Sequence, residues 1–169
     1  RAIPMNGHRH LEISHGILPL QSGRILAPAA TLDSQDTLGK QVLVAISDDN
    51  GRTWPRHAVA FKDPDGVHGY FEQKLAEVRP DLLIATCWTM VMDGVKDREN
   101  SFTLSNDGGE TWSTPRSTGI MGQTMTPIPL GDNRLLVLYN RRYGDQGIVM
   151  VLVTFTDEEW ITHYDGILY

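Results

Sequence analysis

Ligand-type side chains crowd one short stretch near the start of the chain: His8, His10, Glu12 and His15. His8, His10 and Glu12 alternate, so on a strand they would share one face, where a metal could sit. Histidines close together also occur without any ligand, and no metal is expected here. Arg141 and Arg142 are adjacent and run into Tyr143-Gly144-Asp145-Gln146-Gly147. Two guanidinium forks at a strand end suit an anionic group. Asp48-Asp49-Asn50 offers oxygen donors, but the bidentate Glu and flanking helices of a calcium loop are missing. Cys87 is the single cysteine, which excludes an intrachain disulfide and a multi-cysteine zinc site. No P-loop, dinucleotide fingerprint or nucleophile elbow is present. No cofactor is expected.

The elements that position these residues are short. The 169 residues carry 15 Lys+Arg against 21 Asp+Glu, a net charge of -6. A nucleic-acid partner calls for a basic stripe, so none is expected. No apolar run approaches the ~18 residues of a membrane helix, so no membrane span is expected. Hydrophobic residues make up 40% and charged residues 21%, a globular composition. Helical periodicity is missing over any long window. Apolar runs such as Ile25–Ala27, Gln41–Ile46, Leu82–Thr86, Leu135–Tyr139 and Ile148–Phe155 alternate with Gly, Pro, Asn and Asp. This pattern predicts an all-β protein. Ile148–Phe155 is almost wholly apolar and β-branched, which predicts a strand buried on both faces.

The runs repeat. Leu18–Leu26, Ala76–Leu83 and Ile128–Leu136 each read as an apolar pair, a polar turn and a second apolar run, a hairpin. Leu26 to Leu83 is 57 residues and Leu83 to Leu136 is 53. A β unit of that size, about four strands, is the size of a propeller blade. The first two units end alike. Ser47-Asp48-Asp49-Asn50-Gly51-Arg52-Thr53-Trp54 and Ser105-Asn106-Asp107-Gly108-Gly109-Glu110-Thr111-Trp112 both read S-x-D-x-G-x-T-W, with the serines 58 residues apart. Asp49 and Asp107 can accept the turn's N–H groups. Gly51 and Gly109 supply φ > 0. Thr53 and Thr111 start the outgoing strands, and Trp54 and Trp112 offer surface to pack between sheets. Thr156–Trp160 looks like a shortened third copy.

This turn resembles the Asp-box, or BNR repeat, of the sialidase (neuraminidase) superfamily. The resemblance runs from about Ile17 to Trp160 and implies a six-bladed β-propeller. This chain would supply about three four-stranded blades of one partial propeller domain, near residues 15–66, 67–122 and 123–169. The remaining blades are then expected from the same longer chain or from another copy. The chain begins with Arg1, not Met, and the expectation is a piece of a longer protein. Asp-boxes also occur in propellers that bind a glycan or protein and do no chemistry. Function therefore has to be argued from the site.

The resemblance implies a retaining glycosidase with a Tyr nucleophile paired to a Glu, an Asp acid/base and three Arg on the substrate carboxylate. Glu72 resembles the family's Glu. Asp36, with Asp33 close behind, lies in a loop like that of the acid/base Asp. Arg141 or Arg142 matches the place of the third Arg, and Tyr143 would line the pocket. The Tyr nucleophile belongs to a later blade, so no residue here matches it. Where the first Arg belongs, the chain has His15, and where the second belongs it has Cys87-Trp88. At most one of the three Arg stands in place. His15 and Glu12 would be polar pocket groups, Trp88 could stack on a sugar, and Gln123 and Thr124 would face the axis. The expected function is a sialidase-like exo-glycosidase acting on sialic acid or another sugar. The expected partner is a carbohydrate substrate or ligand. The alternative is a non-catalytic Asp-box propeller that binds a glycan or protein. Secretion or surface attachment follows only by analogy with the family.

Overall fold

The computed structural model describes residues 2–34 and 36–168. All regular structure there is antiparallel β, in three sheets. The first holds β1 (Leu11–Glu12), β2 (Leu18–Pro19), β3 (Ile25–Thr31), β4 (Gln41–Ser47) and β5 (Arg56–Lys62). β1 and β2 both pair with β3 and together form the innermost strand. The second holds β6 (His68–Arg79), β7 (Leu82–Val91), β8 (Lys96–Asp97), β9 (Ser101–Ser105) and β10 (Arg116–Ser117). The third runs in chain order through β11 (Gln123–Gly131), β12 (Arg134–Arg141), β13 (Gly147–Phe155) and β14 (Trp160–Ile167).

The second sheet is sandwiched. Leu83, Ala85 and Cys87 meet Leu26, Val44 and Ile46 of the first sheet. Ile84, Phe102 and Leu104 meet Met125, Leu135, Val137 and Val151 of the third. Burial on both faces explains the unbroken apolar run of β7. β13 departs from the expectation of burial on both faces. Val149, Val151, Val153 and Phe155 are buried, but Ile148 and Leu152 are 47% and 38% exposed. The reason is that the far face of the third sheet meets no further sheet among the described residues.

Register also adjusts the repeat. Ile25 pairs with Ser47, and Leu83 pairs with Ser105. Ile25, not Leu26, is therefore the equivalent of Leu83, and the step is 58 residues, the same as between the serines. By the same logic Leu26 and Ile46 match Ile84 and Leu104, and these match Leu136 and Leu152.

The two S-x-D-x-G-x-T-W turns are superposable in their bonds. The Ser47 hydroxyl donates to Asp49 at 2.8 Å and accepts the Gly51 N–H at 3.0 Å. Asp49 accepts the Thr53 N–H at 2.8 Å and the Thr53 hydroxyl at 2.6 Å. Ser105, Asp107, Gly109 and Thr111 repeat each bond, the hydroxyl of Thr111 again at 2.6 Å. Thr53 holds the Asp49 carboxyl down to about 2. Burial pushes Asp107 up, but the bonds from Thr111 outweigh it and the net shift is down. The Trp54 and Trp112 indoles donate to the Gly51 and Gly109 carbonyls at 3.2 and 3.1 Å. Trp112 packs on the core between the first and second sheets. In the third turn Thr156 replaces the Ser–Asp pair, accepting the Glu159 N–H at 3.0 Å, and Trp160 packs on Phe102 with ring centroids 5.3 Å apart.

These turns share one end of the sheets with the β2–β3 hairpin, where Arg24 reaches Asp48 at 2.8 Å and the Gly108 carbonyl at 3.0 Å. The loops after β3, β7 and β12, and the entries to β6 and β11, lie at the opposite end. The chemistry-bearing residues lie there.

Candidate functional site at the loop end

β6 carries a bulge. Phe71 pairs with Trp88 and Lys74 with Thr86, so Glu72 and Gln73 oppose Cys87 alone. Glu72 has a left-handed backbone, φ 51°. β11 repeats the device: Gln123 pairs with Asn140 and Thr126 with Leu138, and Thr124 has φ 53°. Glu72 and Thr124 thus stand at equivalent places on successive innermost strands. The Thr124 hydroxyl donates to the Glu72 carboxylate. The Glu72 N–H donates to the Glu12 carboxylate at 2.9 Å. Glu12, Glu72 and Thr124 form a hydrogen-bonded arc across all three sheets.

The first sheet supplies its member through the break in its innermost strand. Between β1 and β2 the chain leaves the ladder, and Lys74 donates to the Ser14 carbonyl there. Gln73 is fully buried, with its amide N–H 3.5 Å from the Glu12 carbonyl and its Oε1 unpartnered. Burial pushes the Glu12 carboxyl up, and the Glu72 carboxylate adds to that rise against the Glu72 N–H and Lys74. Burial and Lys74 push His15 down, toward neutral imidazole. Cys87 is fully buried and its thiol is raised well above the ordinary value, first by burial. The arc thus brings two carboxylate side chains, Glu12 and Glu72, to one hydrogen-bonded row.

The remaining candidates are placed as follows. Asp36 lies exposed in the loop between β3 and β4 and makes no hydrogen bond among the described residues. Asp33, in the same loop, accepts the Arg9 and His10 N–H groups at 2.7 and 2.9 Å and also binds the His8 ring. Those bonds hold its carboxyl far below the usual range. His8 and His10 thus turn to Asp33 while Glu12 turns to Glu72. Among the described residues no three His, Cys, Asp or Glu side chains are grouped to hold a metal. His15 lines an apolar cavity of about 430 Å³ with Ile3, Met5, Leu11, Ile13 and Ile17. Arg141 grips both oxygens of Asp165 at 2.6 and 2.7 Å, toward the outer strands. Arg142 is exposed beside it. Tyr143 donates its hydroxyl to Asp97.

Asp97 is a residue that reasoning from sequence passed over, and so are Phe71 and Lys74. Asp97 sits in the polar run Asp93–Asn100, where no pattern sets it apart. Only the fold shows it accepting the Trp88 indole N–H at 3.0 Å.

No protein-family model and no curated protein sequence matches the chain. Solved structures do. A protein of unknown function from Dyadobacter fermentans DSM 18053 is 27% identical, with TM-score 0.66, covering 80% of this chain and 36% of that one. The NanB sialidase from Streptococcus pneumoniae is 22% identical, with TM-score 0.67, covering 97% of this chain and 25% of that one. An ulvan lyase of polysaccharide lyase family PL25 is 12% identical, with TM-score 0.53, covering 87% and 42%. The chain thus spans about a third of the Dyadobacter protein and a quarter of NanB. The fold is an all-β, sialidase-like β-propeller, and the chain covers about three of its blades.

Proposed function

We propose that the chain forms part of a sialidase-like glycoside hydrolase, an exo-glycosidase acting on sialic acid or another sugar. The observation that carries this reading is the arc of Glu12, Glu72 and Thr124 at the loop end of a sialidase-like propeller. Glu72 is the key carboxylate, acting as general base or as activator of a nucleophile from another blade. Asp36, exposed in its loop, is the acid/base candidate. Asp33 is committed to the N-terminal segment and serves as its anchor. Arg142, His15 and Tyr143 are substrate-binding candidates. Arg141 belongs to this set only if substrate displaces Asp165. The serine–aspartate turns are Asp-boxes with a structural role, and residues 15–66, 67–122 and 123–169 are the blades of one partial propeller domain. The other blades come from the same longer chain or another copy.

A panel of fluorogenic aryl glycosides, sialoside included, tests the reading in the full-length protein. Turnover of one glycoside that falls about a hundredfold or more in Glu72→Gln supports it, the loss expected for removing a general acid or base. No turnover from a folded protein sinks it. The second reading, a non-catalytic Asp-box propeller that binds a glycan or protein, draws on the Arg141–Asp165 pair, which leaves the Glu72 arc without that cation.

A further inference from the structure

We propose that Trp88 and Tyr143, oriented together by the Asp97 carboxylate, form a shelf that seats one pyranose ring of a glycan beside Glu72. The inference rests on the glycosidase reading and adds a subsite to it. Asp97 accepts the Trp88 indole N–H on one oxygen at 3.0 Å and the Tyr143 hydroxyl on the other. One carboxylate thereby fixes two aromatic rings from different sheets, Trp88 on β7 and Tyr143 in the loop after β12. Asp97 is itself held in β8, paired with Met90.

Phe71 backs the shelf, its ring 5.8 Å from that of Trp88 at 52°. It pairs with Trp88 in the ladder and directly precedes Glu72. Phe71 in turn closes on Gly39, where a Cβ would overlap its ring. The rings therefore have fixed planes, and Trp88 lies across the ladder from the residue that precedes Glu72. They are not core: Tyr143 is 50% exposed and Trp88 is half-buried. A ring whose polar tip is bound by protein keeps its apolar face for a ligand. A pyranose presents C–H groups on one face, and their positive edge suits the electron-rich face of indole or phenol. Its hydroxyls would find partners in Glu72 and in Arg142, the exposed residue next to Tyr143.

The test uses the full-length protein and the glycoside it turns over. Trp88→Leu should raise KM about tenfold, the scale of one aromatic contact, with kcat within about twofold. Trp88→Phe, which keeps an aromatic face, should recover most of that KM. Asp97→Asn should raise KM a few-fold, since the amide keeps one acceptor oxygen where the two donors meet separate oxygens. Where Trp88→Leu fails to fold, Trp88→Phe and Asp97→Asn carry the test. Titration with lactose and 3′-sialyllactose gives a readout independent of turnover: one of them should change tryptophan fluorescence in Glu72→Gln but not in Trp88→Phe. Turnover with unaltered KM in Trp88→Leu and Asp97→Asn overturns the shelf and leaves the hydrolase standing. Fluorescence change without any turnover supports the shelf and removes the hydrolase. Neither turnover nor fluorescence change removes both.

Discussion

The Glu12 carboxylate accepts the backbone N–H of Glu72 through both oxygens, at 3.2 and 2.9 Å, across 60 positions of sequence. A non-glycine residue at φ 51° stores roughly 1–3 kcal/mol of strain, and this bond helps to hold it. Glu12→Ala orphans that N–H and should cost about 1–2 kcal/mol of stability. It should also lower turnover of the proposed glycoside at least tenfold, because Glu72 loses its fixed direction. Glu12→Gln keeps one acceptor and should do less harm. Urea unfolding and initial rates on the same preparations decide it.

Glu12 also sets a pH dependence. Burial raises its folded pKa above the ordinary value of about 4.5. The folded state then holds the proton to higher pH than the unfolded chain. Stability should fall as pH rises from about 4.5 through the raised value, and level off above it. Glu12→Gln should flatten that slope, read as Tm against pH for the two proteins. An unchanged slope would show that Glu12 titrates normally.

Asp49 and Asp107 act in the opposite sense. Both carboxyls are held below the ordinary value of about 3.8, Asp49 at about 2. Their contribution is full above the unfolded value and is lost as pH falls through the folded one. Asp49→Asn and Asp107→Asn should each narrow the gap in Tm between pH 5 and pH 2.

The turn serines should matter more than their size suggests. Ser47 and Ser105 are buried, and each hydroxyl both donates to its aspartate and accepts a glycine N–H. Ser105→Ala leaves the Gly109 N–H without that partner and should cost about 1–3 kcal/mol, with Ser47→Ala similar. Thermal melts would show it, and wild-type melting of both variants would reduce the serines to bystanders.

Gly39 connects the loop of Asp33 and Asp36 to the arc. It has φ 64°, and any side chain would overlap the Phe71 ring. Gly39→Ala should cost about 1–3 kcal/mol through overpacking and displace Phe71 from Trp88. A change in near-ultraviolet circular dichroism accompanying the loss would locate the damage at those rings.

Local features were legible in the sequence, and pairwise ones were not. Ser47-to-Trp54 and Ser105-to-Trp112 announced their turns because every bond in them lies within five positions of chain. The strands followed from apolar runs and turn residues. The sequence match of Leu26 to Leu83 is one residue out of register, because both neighbouring positions are apolar and only the ladder separates the faces. The β13 run looked doubly buried because its sequence prepares both faces, while the described sheets cover one. Glu72 and Thr124 are site candidates in the sequence, but their bulges are not legible there, since a bulge is a count against the partner strand. Asp97 had no signal at all: its importance lies in Trp88 and Tyr143, and neither pairing has a sequence signature.

The ladder equivalence bears on assembly. Leu136 and Leu152 occupy the places where Leu26 with Ile46, and Ile84 with Leu104, are sealed at 3% exposure or less. The opposite extremity presents a different surface, the hollow around Ile3, Met5 and Ile17. A contact that joins one of these ends to the other is heterologous and has a polarity, and the rotation from one sheet to the next then decides whether the stack closes as a ring or runs on as a spiral.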